Sequence, residues 1–195
     1  MRCATLHKTI GVFCSSSNAV DTAYFEAAVD LGRLLAQHDY ALVYGAGSVG
    51  LMGALARSVH AHGGRVIGFI PEFMHARGVA YAQSDELVVT RDMRERQALM
   101  EARSDAFVAL PGGFGTLEEL LEMLTFKQLE QHTKPIVMVN TRGFYDHLVR
   151  QFEHLRDEHF AKPDHLGLYH VAPDARRALE YIKSYQPIAV QSKWV

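Results

Sequence analysis

Leu110-Pro111-Gly112-Gly113-Phe114-Gly115-Thr116-Leu117-Glu118-Glu119 is the stretch whose reading decides the fold. It continues an apolar run, Ala106-Phe107-Val108-Ala109-Leu110, that reads as a buried strand of a parallel sheet. After three glycines, Leu117, Leu120, Leu121 and Leu124 recur at helical spacing. Strand, glycine turn and helix start together make an anion site, because backbone N–H groups converge at the positive end of the helix dipole. The turn is not a Walker A motif, since no lysine follows the last glycine, and it is not GxGxxG. Thr116 and Glu119 also match a capping box, so Glu119 has two readings here, a helix cap or a functional carboxylate.

Outward from this turn, strands and helices alternate. Residues 9–14 form a first strand ending in the polar loop Ser15-Ser16-Ser17-Asn18, and a helix follows from Asp21 or Thr22 to about Gln37. Residues 40–44 form a second strand that runs into Gly45-Ala46-Gly47-Ser48-Val49-Gly50, a second glycine-rich turn opening a helix. Further strands are expected at 65–70, 87–90, 135–139 and, at an edge, 168–172. Helices are expected at 92–103, 116–131, 144–155 and from Pro173 to about Tyr185, with 72–84 a loop or short helix. This order predicts one Rossmann-like, doubly wound α/β domain over residues 1–195, with about seven mostly parallel strands. Ligands of such sheets sit beyond the carboxyl ends of the strands, so the loops at 15–18, 45–50 and 111–115 should meet there.

The 195 residues are 48% hydrophobic and 22% charged, as in globular proteins, and a net charge of −2 offers no case for nucleic acid or an anionic membrane. The two cysteines, Cys3 and Cys14, form no CxxC pair, which fits a reducing cytoplasm. The start of the chain lacks the apolar core of a signal peptide, and no run is long enough to span a membrane, so a cytoplasmic location is expected. Eleven histidines invite a metal reading, but no HExxH occurs and His60 and His62 do not share a helix face, so no metal site is expected. A serine hydrolase is disfavoured because Gly47-Ser48-Val49-Gly50 has the wrong spacing for a nucleophile elbow.

On the helix from Asp92, residues Met93, Arg96, Gln97 and Met100 share a face that the methionines mark as inward. An inward Arg96 either snorkels, paired with Glu95 or Glu101, or turns its guanidinium to a phosphate or carboxylate in the cleft. The i+4 relation to Met93 points Gln97 into the same cleft. Glu119 and Glu122 share a face of the next helix, with Glu118 about 100° away and solvated. A carboxylate beside an anion site suits ribose hydroxyls, a water or a developing cation better than phosphate itself.

These residues carry a family resemblance. Pro111 to Glu119 matches PGGxGTxxE, the signature of the "lonely guy" family of cytokinin riboside 5′-monophosphate phosphoribohydrolases, often mislabelled lysine decarboxylases. Gly45 to Gly53 resembles the family's GGGxxGLMG with Ala46 at the second glycine, Asp92 to Gln97 resembles D-M-H-x-R-K, and Cys14-Ser15-Ser16-Ser17 also fits. The likeness covers about residues 9–140. It implies hydrolysis of the N-glycosidic bond of an adenosine 5′-monophosphate, typically N6-modified, to free base and ribose 5-phosphate. By position it implies Arg96 and Glu119 as the catalytic pair. Gly112, Gly113, Gly115 and Thr116 would bind phosphate, with Thr125 as a further substrate contact; Met93 and Gln97 join them as expected contacts from the face they share with Arg96. Ser15, Ser16, Gly45, Gly47 and Gly50 would be supporting loop residues. It also implies a homodimer and no cofactor. Arg94 and Gln97 stand where the family has His and Lys, which removes a cation from the site. The alternative is a non-catalytic nucleotide- or molybdenum-cofactor-binding protein on the same fold. A decarboxylase is a poor third, because no lysine has a pyridoxal-phosphate context.

Overall fold

The computed structural model of the chain describes residues 8–187. Cys3 and the N-terminal residues read for a leader lie outside the described residues. The chain runs β1 (Thr9–Phe13), α1 (Thr22–Gln37), β2 (Ala41–Tyr44), α2 (Gly50–Ala61), β3 (Val66–Pro71), α3 (Glu72–His75), β4 (Glu86–Thr90) and α4 (Met93–Arg103). It continues β5 (Ala106–Ala109), α5 (Phe114–Gln128), β6 (Ile136–Val139), α6 (Asp146–Asp157), β7 (His170–Ala172) and α7 (Ala175–Ser184), with 3-10 turns at Thr141–Gly143 and Pro163–Leu168. The seven strands form one sheet in the order β4-β3-β2-β1-β5-β6-β7, and every neighbouring pair is parallel.

Helices cover both faces, which is why the inner strands are buried at every position rather than at alternate ones. Ile10, Val12, Leu42, Tyr44 and Val108 pack on one side against α1, α2 and α7. Phe13, Val43, Ile67, Phe107 and Ala109 pack on the other side, against Met100 of α4 and Leu120, Met123 and Leu124 of α5. From β1 the chain builds outward to β4, then returns to lay β5 on the other side of β1. The strand order therefore reverses between β1 and β5, and the crevice of such a fold opens beyond their carboxyl ends.

Local chemistry moves several boundaries. α5 begins at Phe114, with Gly113 as its N-cap, and ends at Gln128, so it starts and stops earlier than 116–131. Leu168 closes a 3-10 turn, so the last strand is only His170–Ala172. α7 is capped by Asp174, whose carboxylate accepts from Arg177 N at 2.8 Å, and Pro173 precedes the helix instead of opening it. Residues 72–84 resolve into the single turn of α3 followed by loop.

Gly50 shows what holds the second glycine turn in place. Its φ of +61° is left-handed, and a Cβ there would lie 2.7 Å from the Ser16 carbonyl oxygen. Gly50→Ala is expected to lower stability by more than about 2 kcal/mol, combining strain with a backbone clash. Equilibrium unfolding in urea measures this, and a parental midpoint would show that the two loops are not locked together.

Candidate active site

The three loops expected at the carboxyl edge do meet. Ser15 N donates to Pro111 O at 3.3 Å, Met52 N to Ser15 O at 3.2 Å, and Gly50 N to Asn18 Oδ1 at 2.9 Å. Ser15 thus bridges the loop after β1 to both glycine turns. Ser16 and Ser17 are exposed above it. A cavity of about 280 Å³ lies between Ser15, Ser17 and Leu51 on one side and Pro111 to Gly113 on the other, with Tyr24 and Phe144 at its flank. Tyr24 and Phe144 meet edge to face with centroids 5.9 Å apart, and Arg142 pairs with Asp21 at 2.5 Å beside them. No local pattern marks Tyr24 or Phe144, since they come from distant parts of the chain.

At the start of α5 the N–H groups of Gly113 to Thr116 have no partner within the helix, because the first intrahelical bond is Leu117 N to Gly113 O at 3.1 Å. No side chain caps them. Space is open beside Gly113 and Gly115, whereas a Cβ on Gly112 would lie 2.6 Å from Thr116 Cβ, so Gly112 lets buried Thr116 pack under the turn. Phe114 between the glycines is 92% exposed. An uncapped, unobstructed helix N-terminus of this kind is an anion cradle.

Glu119 is two turns into α5 and caps nothing, so the capping-box reading is withdrawn: with Gly113 as N-cap, Thr116 stands at the third helical position. Its carboxylate is 8% exposed and takes a hydrogen-bonded ion pair from Arg96, itself 5% exposed. Arg96 also lies over the second glycine turn, with Nη1 3.3 Å from where a Gly45 Cβ would be. Neither expected surface partner holds it. Glu95 accepts from Arg91 N at 2.7 Å, and Glu101 faces Lys134 at 3.8 Å. Helix α4 is fixed by Asp92, which accepts from Glu95 N at 2.9 Å and so sets the rotation that sends Arg96 inward.

Burial pushes the Glu119 carboxyl up to about 7, against the opposing pull of Arg96 and with help from Glu118 and Glu122. A short ion pair alone would depress it, but desolvation on all sides outweighs one guanidinium. Buried Cys14 lies near enough to feel the Glu119 charge, and burial, then that charge, drives its thiol far up, leaving it unreactive.

Three expected contacts stand elsewhere. Met93, in the first turn of α4, is 39% exposed instead of facing inward with Arg96. Gln97 is 5% exposed, and its amide is turned toward Glu122 across the α4–α5 interface rather than into the open crevice. Thr125, six residues beyond Glu119 and so about 9 Å further along α5, is exposed. It donates to Leu121 O at 2.7 Å and lines a separate apolar cavity of about 160 Å³ with Leu124 and Phe152. The cradle fits a phosphorylated ligand better, having free N–H donors and an adjoining Arg–Glu pair. Glu118 is exposed, as its position on the helix requires. Among the described residues no group of three or more His, Cys, Asp or Glu is placed to hold a metal ion, and His60 bonds Tyr81 and Asp85 instead.

The fold is that of a Rossmann-like α/β protein with an open, uncapped helix N-terminus at its crevice. A family model described as "Possible lysine decarboxylase" matches residues 52–182. The cytokinin riboside 5′-monophosphate phosphoribohydrolase LOG5 of Arabidopsis thaliana is 38% identical over 191 residues, 96% of this chain and 84% of its own length. LOG7 of the same plant is 42% identical over 181 residues, 92% of this chain and 83% of its own. The molybdenum cofactor carrier protein of Chlamydomonas reinhardtii superposes with a TM-score of 0.70 at 26% identity, over 90% of this chain and 95% of that one. A molybdenum cofactor binding protein of Rippkaea orientalis gives 0.72 at 23% identity over 93% of this chain and 98% of its own, which speaks to the fold alone. At these identities and coverages the chain belongs to the cytokinin riboside 5′-monophosphate phosphoribohydrolase family.

Proposed function

We propose that this protein hydrolyses the N-glycosidic bond of adenosine 5′-monophosphates, typically N6-modified, releasing the free base and ribose 5-phosphate. The observation that carries the reading is the Arg96–Glu119 pair, buried two turns into the helix whose N-terminus is the phosphate cradle. The 5′-phosphate takes the N–H groups from Gly113 to Thr116, with Ser15 and Ser16 supporting the adjoining loop. This fixes the ribose, so that reaction occurs within a bound complex. Water adds its oxygen to C1′ as the C1′–N9 bond breaks. The bonding electrons leave with the base, which gains a proton. Positive charge develops on the ribosyl ring, and ionised Glu119 stabilises it and orients the water. Arg96 holds Glu119 in place and anchors the substrate. Relatives 38–42% identical over nine-tenths of the chain favour this reading over a cofactor carrier.

Turnover of AMP beside adenosine tests the role of the cradle. Loss of the phosphate should lower kcat/KM by at least about 10²-fold, the scale of two or three charge-assisted hydrogen bonds. Equal rates would remove phosphate binding from the account.

Glu119 acts ionised, and its carboxyl is held near 7. Activity should therefore be full above about pH 7 and fall about tenfold per pH unit below it. A profile flat down to pH 5 would show that Glu119 is not the group whose ionisation limits the reaction. We further propose that the protein is cytoplasmic and a homodimer, as the family resemblance implies for the dimer. Light scattering at a monomer mass would refute the dimer.

A further inference from the structure

We propose that Gln97 and Glu122, which face each other across the α4–α5 interface, act as a positioning pair that sets the pH at which Glu119 ionises. The inference rests on the reading of Glu119 given above. Glu122 follows Glu119 by one turn on α5, and Gln97 follows Arg96 directly on α4, so the two pairs lie side by side between the same helices. Both polar atoms of the Gln97 amide, Oε2 of Glu122 and Nε of Arg96 are buried without a hydrogen-bond partner. The amide is close enough to the Glu122 carboxyl to favour its charged form, yet no hydrogen bond of good geometry joins them.

The charges in this interface do not balance. Glu119 faces Arg96 on α4, Glu118 and Glu122 on its own helix, and the neutral Cys14 thiol at the end of β1. Glu122 faces Glu118 and Glu101, the latter shared with Lys134 of the loop before β6, and opposite it stands neutral Gln97. Arg96 pairs with Glu119, while half-buried Glu122 beside it faces anions and the Gln97 amide. Burial and these anions raise both carboxyls, and each raises the cost of ionising its neighbour. An amide suits this place because it can accept from a protonated Glu122 through its oxygen or donate to an ionised one through its nitrogen. It tolerates either state and compensates neither, which leaves Glu119 titrating high. A cation at 97 would release that constraint.

The acid limb of kcat/KM against pH, measured for wild type, Gln97→Lys and Glu122→Gln, tests the idea. Both substitutions should move the limb down by about one pH unit, the first by adding a cation near Glu122 and the second by removing an anion near Glu119. Carbon-13 NMR titration of the Glu119 carboxyl should show the same displacement without depending on turnover. It also decides the inference if wild type proves inactive, an outcome that would sink the hydrolase reading instead. Should one variant fail to fold, the other still decides, and Gln97→Glu should move the titration upward as a third arm. Unchanged Glu119 titration in the folded variants overturns the proposal, even if their stability changes.

Discussion

Glu119→Gln is expected to lower base release by about 10³-fold or more while leaving the protein folded and able to bind AMP. Losses of that size follow when a positioned carboxylate stops stabilising charge that develops only in the transition state. Glutamine keeps an oxygen to accept from the Arg96 guanidinium and has nearly the same shape. It also removes a carboxyl whose ionisation the buried site resists. The stability change should therefore stay within about 2 kcal/mol. Activity, AMP affinity and urea midpoint measured on one preparation separate the effects. Activity retained within about tenfold would make Glu119 structural, and lost AMP affinity would make it a binding residue.

Arg96→Ala should behave differently, losing activity and stability together. Removing one partner of a buried pair leaves the other desolvated, which costs about 3–5 kcal/mol. The loss should depend on pH. Without Arg96, the folded-state Glu119 titrates still further above its ordinary 4.5, because its main stabilising charge is gone. A carboxyl raised in the folded state favours folding where it is protonated and opposes it where it must ionise. The charge part of the penalty should grow as pH rises through about 7, where wild-type Glu119 ionises, and be absent well below it, where both folded proteins hold Glu119 protonated. Urea unfolding at pH 8 and pH 5.5 checks this. An equal loss at both would show that Arg96 contributes packing rather than charge.

The sheet was legible because its strands are short apolar runs punctuated by glycine turns, and both signals are local. The cradle was legible for the same reason: Gly112, Gly113 and Gly115 sit between a strand and a helix. The Arg96–Glu119 contact was half legible. The inward face of α4 could be read from Met100, and it correctly carried Arg96, but the residues alone left open a local pair with Glu95 or Glu101 beside a carboxylate in the cleft, and the partner is Glu119 across the α4–α5 interface. Met93 misled because the first turn of a helix lies at the rim, where even an apolar residue on the inward stripe reaches solvent. Gln97 follows Arg96 inward, as their shared face implied, and is buried with Glu122 near its amide. The start of α5 was placed two residues late because a capping-box pattern at Thr116 and Glu119 competed with a glycine N-cap that has no side-chain signature. Tyr24 and Phe144 became neighbours only through the crossover topology, which no local window contains.

The most direct measurement is a product analysis. Purified protein is incubated with N6-isopentenyl-AMP at pH 8, and free base and ribose 5-phosphate are quantified together. The account predicts the two products in equal amounts from wild type, and a loss of about 10³-fold in the Glu119→Gln protein. Nucleotide that stays bound but intact with wild type would contradict it and leave a carrier on the same fold.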